Sequence, residues 1–140
     1  MVVRRGFKTH LINSNMKESN IQTLFGRKNK AIGVFELKLV KGKSMPFSAV
    51  QEHQLAGLWS AKYDGLYHKI SDASYEQKPF DCMNLKGVPA YVVLVWYIPR
   101  KRKTAYYITI DTFCQLKDSA GRKSLTEEMA QVCADHQIEL

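Results

Sequence analysis

The chain has 140 residues, enough for one domain with a core of its own, and 45% of them are apolar, which excludes general disorder. No run approaches the roughly 18 apolar residues that a membrane-spanning helix needs, and no apolar signal-peptide core follows Arg4 and Arg5, so the sequence reads as soluble and intracellular. Lys and Arg total 21 against 13 Asp and Glu, a net charge of +8; that excess suits a polyanionic partner, nucleic acid first, although solubility alone also accounts for it.

Residues 15–27 place Met16, Ile21, Leu24 and Phe25 at near-helical spacing, with Asn15 as cap and Gly26 and the basic run after it as the stop. Residues 31–40, AIGVFELKLV, read as a buried strand, and Gly42 and Pro46 mark a loop. A second helix is expected from Ser48, its N-cap, to about Lys62. Val50, Leu55, Leu58 and Trp59 share its apolar face, and Gly65 stops it. Short strands follow near 66–70 and 80–85. The apolar run 90–98 is expected to be central and covered on both faces. The basic turn from Pro99 to Lys103 leads to its hairpin partner, 104–111. A final, peripheral helix is expected over about 124–136, with Ser124-Leu-Thr-Glu127 as its capping box. The order predicts a single domain of mixed α/β (α+β) class, one sheet flanked by helices. Cys82, Cys114 and Cys133 are odd in number and widely spaced, which argues against a disulfide framework or a cysteine zinc site and suits a reducing compartment.

Glu36 and Lys38 stand two apart on the first strand, so they share a face, while Phe35, Leu37 and Leu39 point to the other. Any partly exposed strand has such a polar face. A carboxylate beside a lysine also suits phosphodiester hydrolysis: the carboxylate binds a hard divalent cation, and the lysine orients water and offsets charge on the phosphate. One carboxylate does not hold the metal alone, and Asp81, after Pro79-Phe80, is the candidate for a second, although an Asp there also serves a turn.

The segment FELKLVKGKSMPFSAVQEHQLAGL, residues 35–58, resembles the core of the PD-(D/E)XK nuclease superfamily, and more narrowly the RecU-like Holliday junction resolvases. The matching pieces are Glu36-Leu37-Lys38, Lys43-Ser44, Pro46-Phe47 and His53-Gln54, in that order, within a resemblance that covers about 15–113. It implies a restriction-endonuclease-like fold and a Mg²⁺-dependent endonuclease, with Mn²⁺ as a substitute, cutting four-way or otherwise branched DNA. In-line attack leaves 5′-phosphate and 3′-hydroxyl ends in that family. A homodimer in the cytoplasm of a bacterial or phage-infected cell is also implied, because two opposed strands must be cut.

The resemblance assigns metal binding to Glu36, Asp81, the carbonyl of Leu37 and Glu18 of the first helix, a water-orienting role to Lys38, and a polar contact near the metal or the phosphate to Gln54. His53 is the alternative inward-facing residue. One departure stands out: the family's Asp precedes Glu-x-Lys, yet no Asp or Glu occurs from Ile21 to Phe35. Asp81 therefore reads as the same ligand moved downstream, reaching Glu36 if strand 80–85 lies beside strand 33–40. Lys69, Lys43, Arg27, Lys28, Lys30 and the turn Arg100-Lys101-Arg102-Lys103 are candidate DNA-backbone contacts, all of which also read as solvated surface charge. Tyr91, Trp96, Tyr97, Tyr106 and Tyr107 alternate within strands and read as core rather than a base-stacking platform. A nuclease of duplex DNA from a phage or mobile element, and a DNA-binding protein on an inactive nuclease scaffold, are the alternatives.

Overall fold

The computed structural model describes residues 16–69, 82–119 and 121–140. Helix α1, Glu18–Lys28, leads to strand β1, Val34–Val40. A short strand β2, Ser44–Pro46, and a 3-10 turn, Phe47–Ala49, precede helix α2, Glu52–Trp59, which widens into π-helical turns over Ser60–Asp64. Strands β3, Leu66–Lys69, and β4, Cys82–Leu85, come next, then β5, Ala90–Trp96, and β6, Thr104–Thr109. Helix α3, Ile110–Asp118, strand β7, Ser124–Thr126, helix α4, Glu127–Cys133, and strand β8, His136–Glu139, complete the described elements.

The main sheet runs β1-β5-β6-β8: β1 is parallel to β5, and the other neighbours are antiparallel. The mixed α/β class expected from the element order is the observed one. Strand β5 is the interior strand foreseen, with Val92, Val93, Leu94 and Val95 fully buried. Parity of side chains along β1 and β5 divides the core in two. On one face Leu37, Val93 and Val95 pack with Tyr107 against Ile21 and Phe25 of α1. On the other, Val40, Val92 and Leu94 pack against Leu55 and Leu58 of α2, Phe113 of α3 and Ala130 of α4. Truncating a buried leucine here costs about 2–5 kcal/mol. Four of the five tyrosines and tryptophans read as core are buried and Tyr91 is half-buried.

Two glycines set the entry and exit of these elements. Val34 N donates to Pro89 O at 2.8 Å to start the β1–β5 ladder. That approach leaves Gly33 no room for a side chain, since a Cβ would meet Pro89 O at 2.6 Å. Gly65, at φ +105°, ends the π-helical turns, a conformation that favours glycine.

Several expectations need correcting. The first helix starts at Glu18, its N-cap position Lys17 makes no side-chain cap, Gly26 lies inside it, and Asn15 falls outside the described residues. The second helix is capped by Gln51 rather than Ser48, because Gln54 reaches back to the Gln51 amide. Trp59 does not join its buried face and stays 41% exposed, packing on Tyr63. The expected strand 104–111 stops at Thr109, whose side chain accepts from Thr112 N and starts α3. Thr126, not Ser124, caps α4, by accepting from Met129 N. The expected final helix is present but shorter, Glu127–Cys133, and not peripheral: its Ala130 is in the core, and it is flanked by β7, which pairs with β2, and β8, which adds the fourth strand of the sheet. Among the described residues no helix is long and apolar enough to cross a membrane, and the three cysteines are free.

Candidate functional site

Strand β1 is an edge strand, and its two edges are not equivalent. In a parallel ladder the amide and carbonyl of one residue point to the same side. Val34 N bonds to Pro89 O and Val40 O accepts from Tyr97 N, each at 2.8 Å, so the even-numbered residues face β5. Leu37 and Leu39 therefore turn their backbone groups to the outer edge, where no described strand pairs with them. Glu18, in the first turn of α1, reaches that edge: Leu39 N donates to Glu18 Oε2 at 3.3 Å. The only acid before residue 36 is thus tied to the strand that carries Glu36, on the side where the Leu37 carbonyl points.

Glu36 and Lys38 project from the face that α2 covers, between Val34 and Val40. Their side chains are 25% and 17% exposed, so both are partly withdrawn from water. Lys38 Nζ lies 3.1 Å from Glu36 Oε1. Gln54 Nε2 donates to the same oxygen at 2.8 Å. Glu36 Oε2 accepts no hydrogen bond from any described residue. Gln54 reaches the carboxylate because it is the third residue of α2: its Oε1 accepts from Gln51 N at 3.0 Å, which fixes the amide and aims its NH₂ group at β1. His53 turns outward and is exposed.

The remaining candidates are spread more widely. Asp81 lies outside the described residues. Strand β4, which follows it, pairs with β3 in a separate two-stranded sheet and not with β1, so the side-by-side placement of 80–85 with 33–40 does not occur among the described residues. The physical reason is local: Leu66–Lys69 find an antiparallel partner in Cys82–Leu85, which leaves β1 to pair with β5. Lys69 is exposed on β3 opposite Cys82. Arg27 and Lys28 are exposed in the last turn of α1, where the helix dipole favours cations, and Lys30 and Lys43 are exposed nearby in sequence. In the basic turn, Arg100 adopts φ +65°, Arg102 Nη1 is 3.0 Å from Glu139 Oε1, and Lys103 Nζ sits 5.5 Å from the centre of the Tyr97 ring. Arg102 and Lys103 therefore have partners of their own, and Lys101 is exposed.

Among the described residues, no three His, Cys, Asp or Glu side chains are placed to hold a metal together. The donors that are present nevertheless fit a hard divalent cation: all are oxygens, one carboxylate oxygen has no partner among the described residues, and Mg²⁺ keeps several waters rather than a full protein cage. Glu36, the Leu37 carbonyl and Glu18 are the oxygen donors among the described residues; Asp81, the further carboxylate expected from the sequence, lies outside them.

A second ionic cluster escaped the sequence reading. Asp111, at the start of α3, accepts from Lys62 through Oδ2 and from the Tyr63 hydroxyl through Oδ1, both on the π-helical turns. Partial burial works against its charge, but the hydrogen bonds from Lys62 and Tyr63 prevail and hold its carboxyl below the usual range. The hydrogen bond to Asp111 in turn raises the Lys62 ammonium. Nothing in the sequence pairs Asp111 with Lys62, because the link needs α3, which the strand-like run TAYYITID conceals.

No family model, curated protein or solved structure matches this chain.

Proposed function

We propose that this protein is a metal-dependent DNA endonuclease whose centre is built on β1. The observation that carries the reading is the sharing of Glu36: Gln54 donates to Oε1, Lys38 Nζ lies 3.1 Å from the same oxygen, and Oε2 has no partner among the described residues. In a purely structural ion pair the carboxylate gains from satisfying both oxygens; here Oε2 stays available.

Glu36, Asp81, Glu18 and the Leu37 carbonyl are the groups that would hold Mg²⁺, or Mn²⁺ in its place. A bound cation supplies positive charge beside the phosphate and makes water a better nucleophile at neutral pH. Lys38, held beside Glu36, orients the attacking water and offsets charge that develops on the phosphate. Gln54 holds the Glu36 carboxylate through Oε1 and so would leave Oε2 for the cation. Lys43, Arg27, Lys28, Lys30, Lys69 and Lys101 carry positive charge for the DNA backbone, and with a net charge of +8 they favour a strongly salt-dependent association. Branched DNA, four-way junctions above all, is the proposed substrate, and a homodimer the working form, on the strength of the sequence resemblance.

The test compares Mg²⁺-dependent cleavage of a four-way junction and a linear duplex of the same arms at equal salt. Junction cleavage by the wild type, lost in Asp81→Ala and Lys38→Met while both still bind DNA, is the expected result. Equal cleavage of duplex points to a general nuclease. Wild-type rates in Asp81→Ala remove the downstream ligand from the mechanism, and DNA binding without cleavage of any substrate removes the nuclease reading.

A further inference from the structure

Along the seam between α3 and α2 with its π-helical turns lie two adjoining concavities of about 490 and 360 Å³. Trp59, Cys114 and Asp118 line both, so the two form one groove. Trp59, which the buried face of α2 does not absorb, is 41% exposed there. Its ring centre lies 4.6 Å from that of Tyr63, which is 45% exposed. Single apolar side chains are ordinary on a protein surface, whereas a contiguous aromatic pair beside a groove points to an interaction site.

The charge of this groove is opposite to that of the chain. Glu52, Asp64, Asp111 and Asp118 line it, in a protein with a net charge of +8. Two of these carboxylates are already answered: Glu52 pairs with Lys117, and Asp111 with Lys62 and Tyr63. Asp64 and Asp118 are left over. Both are exposed, and neither side chain has a hydrogen bond or ion pair among the described residues.

Aromatic surface and leftover negative charge together narrow the partner. The carboxylates repel a phosphate backbone, so DNA does not suit this face. Among the described residues no three acidic, His or Cys side chains are placed to hold a metal ion. Two concavities in series fit a length of chain rather than a single ion. A cation that also stacks answers both features. The arginine guanidinium is flat, weakly hydrated and forked towards carboxylates, whereas a lysine ammonium is a compact, strongly hydrated point charge. The groove is also separate from the proposed nuclease centre. Gln54, which reaches Glu36, and Trp59 lie about 140° apart around α2, so Trp59 points away from β1.

We infer that this groove docks an arginine-bearing basic segment of a protein partner, with a guanidinium on the Trp59 indole and its charge met by Asp64 and Asp118. The surface stands apart from the nuclease reading: it lies on the far side of α2 from Glu36, and a partner held there leaves the DNA face open.

The chain has two tryptophans, Trp59 and Trp96, so ¹⁵N-labelled protein shows two indole N–H resonances, and Trp59→Phe identifies which is which. The metal-free chain is titrated with hexa-arginine, hexalysine, hexaglutamate and a linear DNA duplex. The expected result is a saturable shift of the Trp59 indole with hexa-arginine, against the net charge of the protein, while the buried Trp96 indole stays still. Hexalysine should bind about fivefold more weakly, and the double variant Asp64→Asn/Asp118→Asn should weaken hexa-arginine about tenfold. Both substitutions are at exposed positions, and an unmoved Trp96 resonance verifies that the variant keeps its fold. A Trp59 indole that ignores hexa-arginine, or follows it equally in the double variant, overturns the inference. Equal affinity for the two polycations removes arginine as the ligand, and a larger shift with the duplex makes the groove a nucleic-acid surface instead. No cleavage is needed for this readout. A protein that cuts DNA with a stationary Trp59 indole loses the docking groove but keeps the nuclease; a shifting indole without cleavage of any DNA does the reverse.

Discussion

Two lysine–carboxylate clusters in this molecule look alike at first. Glu36 pairs with Lys38 and Gln54; Asp111 pairs with Lys62 and Tyr63. The carboxylates are 25% and 31% exposed, and the lysines 17% and 30%. What separates them is the allocation of oxygens. Asp111 gives one oxygen to each partner and has the form of a clamp between α3 and the π-helical turns. Glu36 receives both partners on Oε1 and keeps Oε2 unengaged among the described residues. Charge and burial therefore do not separate the two clusters; the number of partners on each oxygen does, and it is on that difference that the proposed binding role of Glu36 rests.

The sharpest way to break this contrast is Glu36→Gln. It keeps the size of the side chain but removes the anionic oxygen, and nuclease activity is expected to fall by about 10²-fold or more. Its denaturant midpoint should stay close to the wild type's, because the glutamine side-chain oxygen still accepts from Gln54 Nε2. Cleavage at the wild-type rate would place the chemistry elsewhere.

Gln54→Ala should have an intermediate effect on two axes at once. Loss of the reciprocal cap costs about 1 kcal/mol in a urea melt, and loss of the hold on Glu36 lowers cleavage by about tenfold. A variant that loses stability but cleaves normally would show that Gln54 serves the helix alone.

Asp111→Asn is the control. It should leave cleavage unchanged within about twofold and cost about 1 kcal/mol, after discounting for its exposure, which is a few degrees in Tm for a domain of this size. A collapse of activity in this variant would make the clamp part of the centre.

The smallest effect is the pH dependence of that cost. The Asp111 carboxyl is depressed on folding, so its contribution is present above the ordinary carboxylate pKa and is lost as pH falls below about 4. The Lys62 ammonium is raised, so its share is present below about 10.4 and is lost as pH rises beyond it. Urea melts of wild type and Asp111→Asn should therefore differ at pH 7 and converge towards pH 3. A gap that persists at low pH would mean that the aspartate acts through packing.

What the residues made legible follows from how local each signal is. The strand around Glu36 and the hairpin of β5 and β6 carry strong apolar runs, and their pairing needs only a short turn. The reach of Gln54 to Glu36 is a helix-start feature, legible once the helix is known to begin after Gln51 rather than at Ser48. Strand β8 was not legible, because His136-Gln-Ile-Glu139 is short and polar and is a strand only through its partner β6. The pairing of Ser44–Pro46 with Ser124–Thr126 is likewise a long-range choice that no local pattern encodes. Glu18 could be singled out as the lone early acid, but its bond to Leu39 depends on which edge of β1 is left open, and that is decided by β5.

That dependence bears on the order in which the molecule assembles. Glu18, Glu36, Lys38 and Gln54 are close in sequence, yet β1 has no sheet to join until Ala90–Trp96 arrive to pair with it. Contacts at such separation are slow to form, since the intervening chain must give up its freedom first. The α1–β1–α2 segment would therefore spend the early part of folding with an unpaired strand and an unplaced Glu36. A refolding experiment in Trp59→Phe that follows Trp96 fluorescence and the proposed cleavage should find activity appearing no earlier than the burial of that tryptophan.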